Sequence, residues 1–149
     1  MAAPASGHGD VERLYVYSDG ASRGNPGHAA IGVVICRDGG EVLKECGQYI
    51  GKRTNNVAEY VALIVGLELA SKFGRREVVC LSDSKLVVNQ MGEKWAVTKS
   101  HIGILVRKAR ESGRRFSKVR YVHLGREDPG IRRADELANA ALDAALGVQ

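Results

Sequence analysis

Three strand-like runs precede any helix in this chain, and strands and helices alternate afterwards. That order limits the fold more than any other feature of the sequence. Residues 14–18 form a short β-rich run, followed at 19–27 by a turn cluster holding three glycines and a proline. Runs at 30–36 and 41–50 flank Asp38-Gly39-Gly40, a hairpin signal. Residues 56–73 read as a helix stopped by Gly74. From Val57 to Ala70 only Glu59 and Glu68 are charged, so this helix is expected to be mostly buried. A strand at 78–82, helices at 84–91 and 100–112, a fifth strand at 119–124 and a terminal helix at 133–146 complete the chain. The order β-β-β-α-β-α-α-β-α predicts an α/β fold. Its mixed five-stranded sheet would have three antiparallel strands, then parallel ones, with helices on both faces. In such sheets, sites form beyond the carboxyl ends of the parallel strands.

At 149 residues the chain is long enough for one well-buried domain, expected to span 13–149 after a disordered tail at 1–12. The tail lacks the basic start and apolar stretch of a secretion signal. No apolar run is long enough to span a membrane. Cys36, Cys46 and Cys80 stand in apolar runs without metal-ligand spacing, which suits reduced, buried thiols in the cytoplasm. The formal charge is +5, and it is uneven. Arg107, Lys108, Arg110, Arg114, Arg115, Lys118 and Arg120 face only Glu111 in the same stretch, either as a solvated helix face or as a surface that follows phosphates.

Against that basic balance, four acids stand at element ends: Asp19, Glu59, Asp83 and Asp135. Each has a local structural explanation. Asp19-Gly20 suits a turn, Glu59 lies three residues after Asn56 as in a capping box, Asp83 suits an N-cap, and Asp135 in a first helical turn suits the helix dipole. Helical phase argues otherwise for two of them. Glu59 shares a face with Leu63, Gly66 and Ala70, and Asp135 with Ala138, Leu142 and Ala145, so both are expected to point inward. Buried carboxylates need a compensating positive partner, and a divalent metal is the usual one.

Residues 17–27 (YSDGASRGNPG), 54–60 (TNNVAEY), 81–88 (LSDSKLVV) and 133–139 (RADELAN) closely resemble the motifs of type 1 ribonuclease H, in the family's order. The likeness covers about 14–146 and is nearest the compact forms of archaea and some bacteria, because the segment from Gly92 to His101 is too short for a basic protrusion. The resemblance implies the ribonuclease H-like fold and an endonuclease that cuts the RNA strand of an RNA–DNA hybrid. The ends left would be 5′-phosphate and 3′-hydroxyl. It further implies two Mg²⁺ ions, with Mn²⁺ able to substitute, held by Asp19, Glu59, Asp83 and Asp135. Asp19 would bridge them, Asp83 would serve the water side, and Glu59 and Asp135 the leaving side. Asn25, Asn55 and Asn56 would touch the hybrid's minor groove, with Gly20 beside them, and Thr54 would meet a DNA-strand phosphate. Trp95 would pack against the DNA strand or within the core. Lys85 replaces the family's usual glutamine and could meet a phosphate. For the family's mobile-loop histidine the nearest matches are Arg126, in the loop at 125–132, and His123, within the fifth strand. A monomer acting on hybrid, with no membrane association, is expected. A non-catalytic binding module would have no need of all four acids, whereas a related nuclease acting on duplex RNA stays compatible with these residues.

Overall fold

A computed structural model describes residues 11–148 and arranges five strands in the order β3-β2-β1-β4-β5. β1 (Arg13–Gly24), β2 (Gly27–Arg37) and β3 (Val42–Arg53) form an antiparallel meander, while β4 (Glu77–Ser82) and β5 (Lys118–His123) join parallel to β1. Four helices complete it: α1 (Asn55–Ala70), α2 (Lys85–Met91), α3 (Ser100–Gly113) and α4 (Pro129–Leu146). The element order and the mixed sheet match the sequence-based expectation.

Strand alternation divides the core between the two faces. Leu14, Val16, Val33, Ile35, Val78 and Cys80 face α1 and α3, packing on Tyr60, Leu67, Ile102 and Val106. On the other face, Ala30, Val34 and Cys36 meet Ala134, Ala138 and Leu142 of α4. Gly32 permits that contact, since a Cβ there would stand 1.8 Å from the Ala134 carbonyl oxygen. Buried Tyr60 donates its hydroxyl to Gln90 Oε1 at 2.6 Å, tying α1 to α2.

Several local expectations change. The glycine-rich stretch after Ser18 is not a turn: β1 continues in register with β2 as far as Gly24, paired with Gly27. Antiparallel pairing satisfies its backbone groups, which outweighs its turn-like composition. The turn shrinks to Asn25 and Pro26, joined by a cis peptide. α1 is capped by Thr54 and not by Asn56, with Thr54 Oγ1 accepting from Val57 N at 3.2 Å. Ser84, not Asp83, caps α2. α4 starts at Pro129, four residues before the expected Arg133. Asp128 caps it by accepting from the Gly130 and Ile131 amides, so Asp135 lies in the second turn. Residues 1–10 of the expected tail lie outside the described residues. Val11 and Glu12 belong with the folded part, because Val11 is buried and its amide donates to Phe73 O at 3.3 Å. All three cysteines are free. Cys36 and Cys80 are buried as expected, but Cys46 is only half-buried.

Candidate active site

The parallel pairing of β1 with β4 ends at Tyr17 and Leu81, and Asp19 and Asp83 each lie two residues past that last pair. Two acids separated by 64 positions are thereby brought to one end of the sheet. α1 supplies a third. Glu59 lies just past its first turn, where Gly20 lets the helix come close: a Cβ on Gly20 would stand 2.4 Å from the Ala58 carbonyl carbon. The Gly20 amide donates to Glu59 Oε1 at 3.0 Å, fixing that carboxylate against β1.

Asp19, Glu59 and Asp83 each bring a carboxylate oxygen within 4.8 Å of the others. Asp19 and Glu59 are only 5% and 8% exposed. In the absence of cations, burial pushes the Asp19 carboxyl up to about 9, with the charges of Glu59, Asp83 and Asp135 adding to the effect. Burial pushes Glu59 up to about 8, reinforced by Asp83 and opposed by the Gly20 amide and by Arg126. The cleft therefore disfavours its own negative charge and would be relieved by a cation.

Asp135 completes the wall but does not point into the core as its helical phase suggests. The buried stripe of α4 is Ile131, Ala134, Ala138 and Leu142, and Asp135 stands on its exposed flank. It nevertheless lines the same cleft of about 290 Å³ as the other three acids, close enough to hydrogen-bond Asp19. Asn139, one turn on, donates its amide to Asp135 Oδ1 at 3.1 Å and to the Asp135 carbonyl at 3.0 Å. Arg23, at the end of β1, in turn donates to Asn139 Oδ1 at 3.2 Å and to Asp143 Oδ1 at 2.8 Å. This chain of contacts runs from the β1–β2 turn to the exposed carboxylate. Motif reading overlooked it, although the spacing of four between Asp135 and Asn139 is a helical-neighbour signal.

Arg126 reaches over the cleft with Nε 3.7 Å from Asp83 Oδ2, while its side chain stays 93% exposed. Arg132, in the first turn of α4, lines the same cleft and was also missed. His123 ends β5 and is exposed; neither it nor Lys85, at the start of α2, lines the cleft. Asn55 lines it directly, and its backbone N–H donates to Asn25 Oδ1 at 2.9 Å. That bond joins the β1–β2 turn to the start of α1 and leaves the Asn25 NH₂ free to donate outward. Asn56 is exposed beside Asn55. Trp95 does not take the core option; it is 47% exposed in the loop after α2.

A family model described as reverse transcriptase-like matches residues 17–141. Ribonuclease HI of Halobacterium salinarum is 42% identical over 131 residues, covering 88% of this chain and 65% of that protein. A bifunctional protein of Mycobacterium tuberculosis is 43% identical over 134 residues, which is 89% of this chain but 36% of that relative. The chain thus spans about a third of the length of the mycobacterial relatives it matches. Among solved structures, RNase H1 from Halobacterium salinarum superposes with a TM-score of 0.85 at 42% identity, covering 89% of this chain and 98% of that one. LC11-RNase H1 in complex with RNA/DNA hybrid gives 0.84 at 41% identity, covering 89% and 99%.

Proposed function

Because this chain belongs to the ribonuclease H family, we propose that it is an endonuclease that hydrolyses the RNA strand of RNA–DNA hybrids. The observation that carries the reading is the carboxylate cleft just past the carboxyl end of the β1–β4 pairing, built from Asp19, Glu59, Asp83 and Asp135. The solved complex of LC11-RNase H1 with an RNA/DNA hybrid, at 41% identity, supports the substrate class.

The donor set fits divalent metal. It is all oxygen, three of its members converge within 4.8 Å, two are buried, and the nearest cation, Arg126, is almost wholly in solvent. Asp19, Glu59, Asp83 and Asp135 would hold two Mg²⁺ ions, with Mn²⁺ able to replace them. When bound, such ions activate water and neutralise charge on a phosphoryl group. The chain's own groups do the rest. The Gly20 amide holds Glu59 in place, and Asn139 holds Asp135. Arg126 and Arg132 set positive charge at the cleft mouth, suited to the scissile phosphate. Asn25, Asn55 and Asn56 supply amides able to donate to minor-groove acceptors and to accept from a 2′-hydroxyl, the group that separates RNA from DNA. Thr54 Oγ1 accepts the Val57 amide as the helix cap, which leaves the hydroxyl hydrogen free to donate to a phosphate. Water adds to phosphorus and the P–O3′ bond breaks, leaving a 5′-phosphate and a 3′-hydroxyl.

No helix among the described residues is long and apolar enough to cross a membrane. A cytoplasmic monomer is part of the same reading. The test is cleavage of labelled hybrid, duplex RNA and duplex DNA with Mg²⁺, with Mn²⁺ and with EDTA. Metal-dependent cutting of hybrid RNA with 5′-phosphate products is expected. Cutting that persists in EDTA would sink the metal assignment, and equal cutting of duplex DNA would sink the substrate assignment.

A further inference from the structure

We propose that the pole of the sheet opposite the cleft is a second nucleic-acid contact surface, gripping the phosphates of a segment other than the one being cut. The inference rests on the reading of the protein as a nuclease of nucleic-acid hybrids. Its basis is the basic stretch near Arg107 to Arg120, which the cleft does not use.

The register row Arg13, Glu77 and Lys118 marks the amino ends of β1, β4 and β5, whereas Asp19 and Asp83 lie past the last β1–β4 pair, Tyr17 with Leu81. Six residues of β4 separate the two regions by roughly 20 Å. Ser117 N donates to Arg75 O and Lys118 N to Arg76 O, both at 2.9 Å, which locks the loop before β4 against the loop before β5. The last turn of α3 is held to α1 by Ser112 Oγ donating to Glu68 Oε2 at 2.7 Å. Those contacts collect Arg75, Arg76, Arg114, Arg115, Lys118 and Arg120 at one pole, all exposed.

Three acids answer these six cations. Arg76 pairs with Glu12 at 3.3 Å and Arg115 with Glu68 at 3.2 Å. Arg120 reaches Glu77 at 3.7 Å, but Glu77 is also engaged by Arg13 at 3.0 Å. Arg75 and Arg114 make no ion pair among the described residues, and Lys118 acts only through its charge on Glu77, which Arg13 already engages. Like charge gathered this closely repels itself, and a phosphate backbone relieves the repulsion while releasing counterions. The cations come from three separate segments, a spread suited to successive phosphates and not to one small anion. The separation from the cleft means that a duplex seated there would not cover the pole, so the ligand is a neighbouring duplex.

The test is the triple variant Arg75→Gln/Arg114→Gln/Lys118→Gln. It leaves the loop–loop bonds intact because these use backbone atoms. Binding of a labelled DNA duplex, which the cleft is not expected to cut, is measured by anisotropy in EDTA between about 50 and 200 mM KCl. Each lost phosphate contact lowers the log–log salt slope by about 0.9, so a fall of about 2.7 is expected. Turnover on a hybrid short enough to occupy only the cleft should match wild type. The control Arg37→Gln/Lys44→Gln removes exposed cations from β2 and β3. An unchanged slope in the triple variant, or an equal loss per charge in the control, would overturn the proposal. Loss of hybrid cleavage by the unmodified protein would instead unseat the nuclease reading, in a separate assay.

Discussion

Replacing Asp19 by asparagine should stabilise the metal-free protein even as it abolishes activity. Burial, reinforced by the charges of Glu59, Asp83 and Asp135, pushes the Asp19 carboxyl from 3.8 up to about 9. A group raised in this way contributes stability below its unfolded value and loses it as pH rises through the folded one. Near pH 7 the penalty spans about three pH units at about 1.36 kcal/mol each, which sets a ceiling of ~4 kcal/mol. Water entry and relaxation of the cleft reduce this to roughly 2–4 kcal/mol. Asparagine has nearly the same shape, carries no charge and can still donate to Asp135. Asp19→Asn should therefore raise Tm by roughly 4–16 °C in EDTA near neutral pH. Near pH 4 the difference should almost vanish, because aspartate loses its charge penalty there. Mg²⁺ should then raise the stability of wild type by mass action and that of the variant far less. Calorimetry or urea denaturation in EDTA and in Mg²⁺ reads both effects. An Asp19→Asn protein less stable than wild type in EDTA near neutral pH would refute the electrostatic account, and an equal Mg²⁺ response would refute the ligand assignment.

The same titrations bear on metal affinity. Because Asp19 and Glu59 are pushed up to about 9 and about 8, protons compete with the cation, and apparent Mg²⁺ affinity should tighten steadily as pH rises from about 6 toward 9; a flat profile by isothermal titration would contradict this. Gly20→Ala forces a Cβ to 2.4 Å from the α1 backbone, so it should cost at least roughly 1–3 kcal/mol and misplace Glu59, to be read by denaturation and by Mg²⁺ titration. Arg23→Ala and Asn139→Ala free the exposed Asp135 carboxylate and should raise the Mg²⁺ concentration for half-maximal cleavage several-fold with little change in KM for hybrid. Arg23→Lys should recover part of the loss; a fall in stability without any change in metal requirement would show that the contacts serve packing only.

The strand and helix pattern was legible from sequence because its signals are local: short β-rich runs bounded by turn residues mark β1 to β5, and the apolar sweep after Asn55 marks α1. The four acids were legible as a set through their motifs, and Glu59 through its phase on a buried helix. Asp135 was misread in orientation because residues 129–132, read as loop, proved to be the first turn of α4, capped by Asp128 and contributing buried Ile131 to the stripe. Moving the helix start places Asp135 in the second turn, and packing of Ala134 and Ala138 on the sheet then turns it toward the rim.

Chain order and side-chain chemistry thus determined which elements form and which oxygens are available for a cation. The sequence already put Asp19 and Asp83 after strands expected to be parallel. Only tertiary structure decided that β1 pairs directly with β4, with Asp19 inside a longer β1, and that Arg132 joins them. It also placed the end of the basic stretch, from Arg114 to Arg120, at the far pole, where sequence alone left its relation to the acids open. The reason is physical. Periodicity and capping report a residue's surroundings within a turn or two, whereas a site made by strands 64 residues apart depends on hydrogen-bonded register between segments that no local pattern connects.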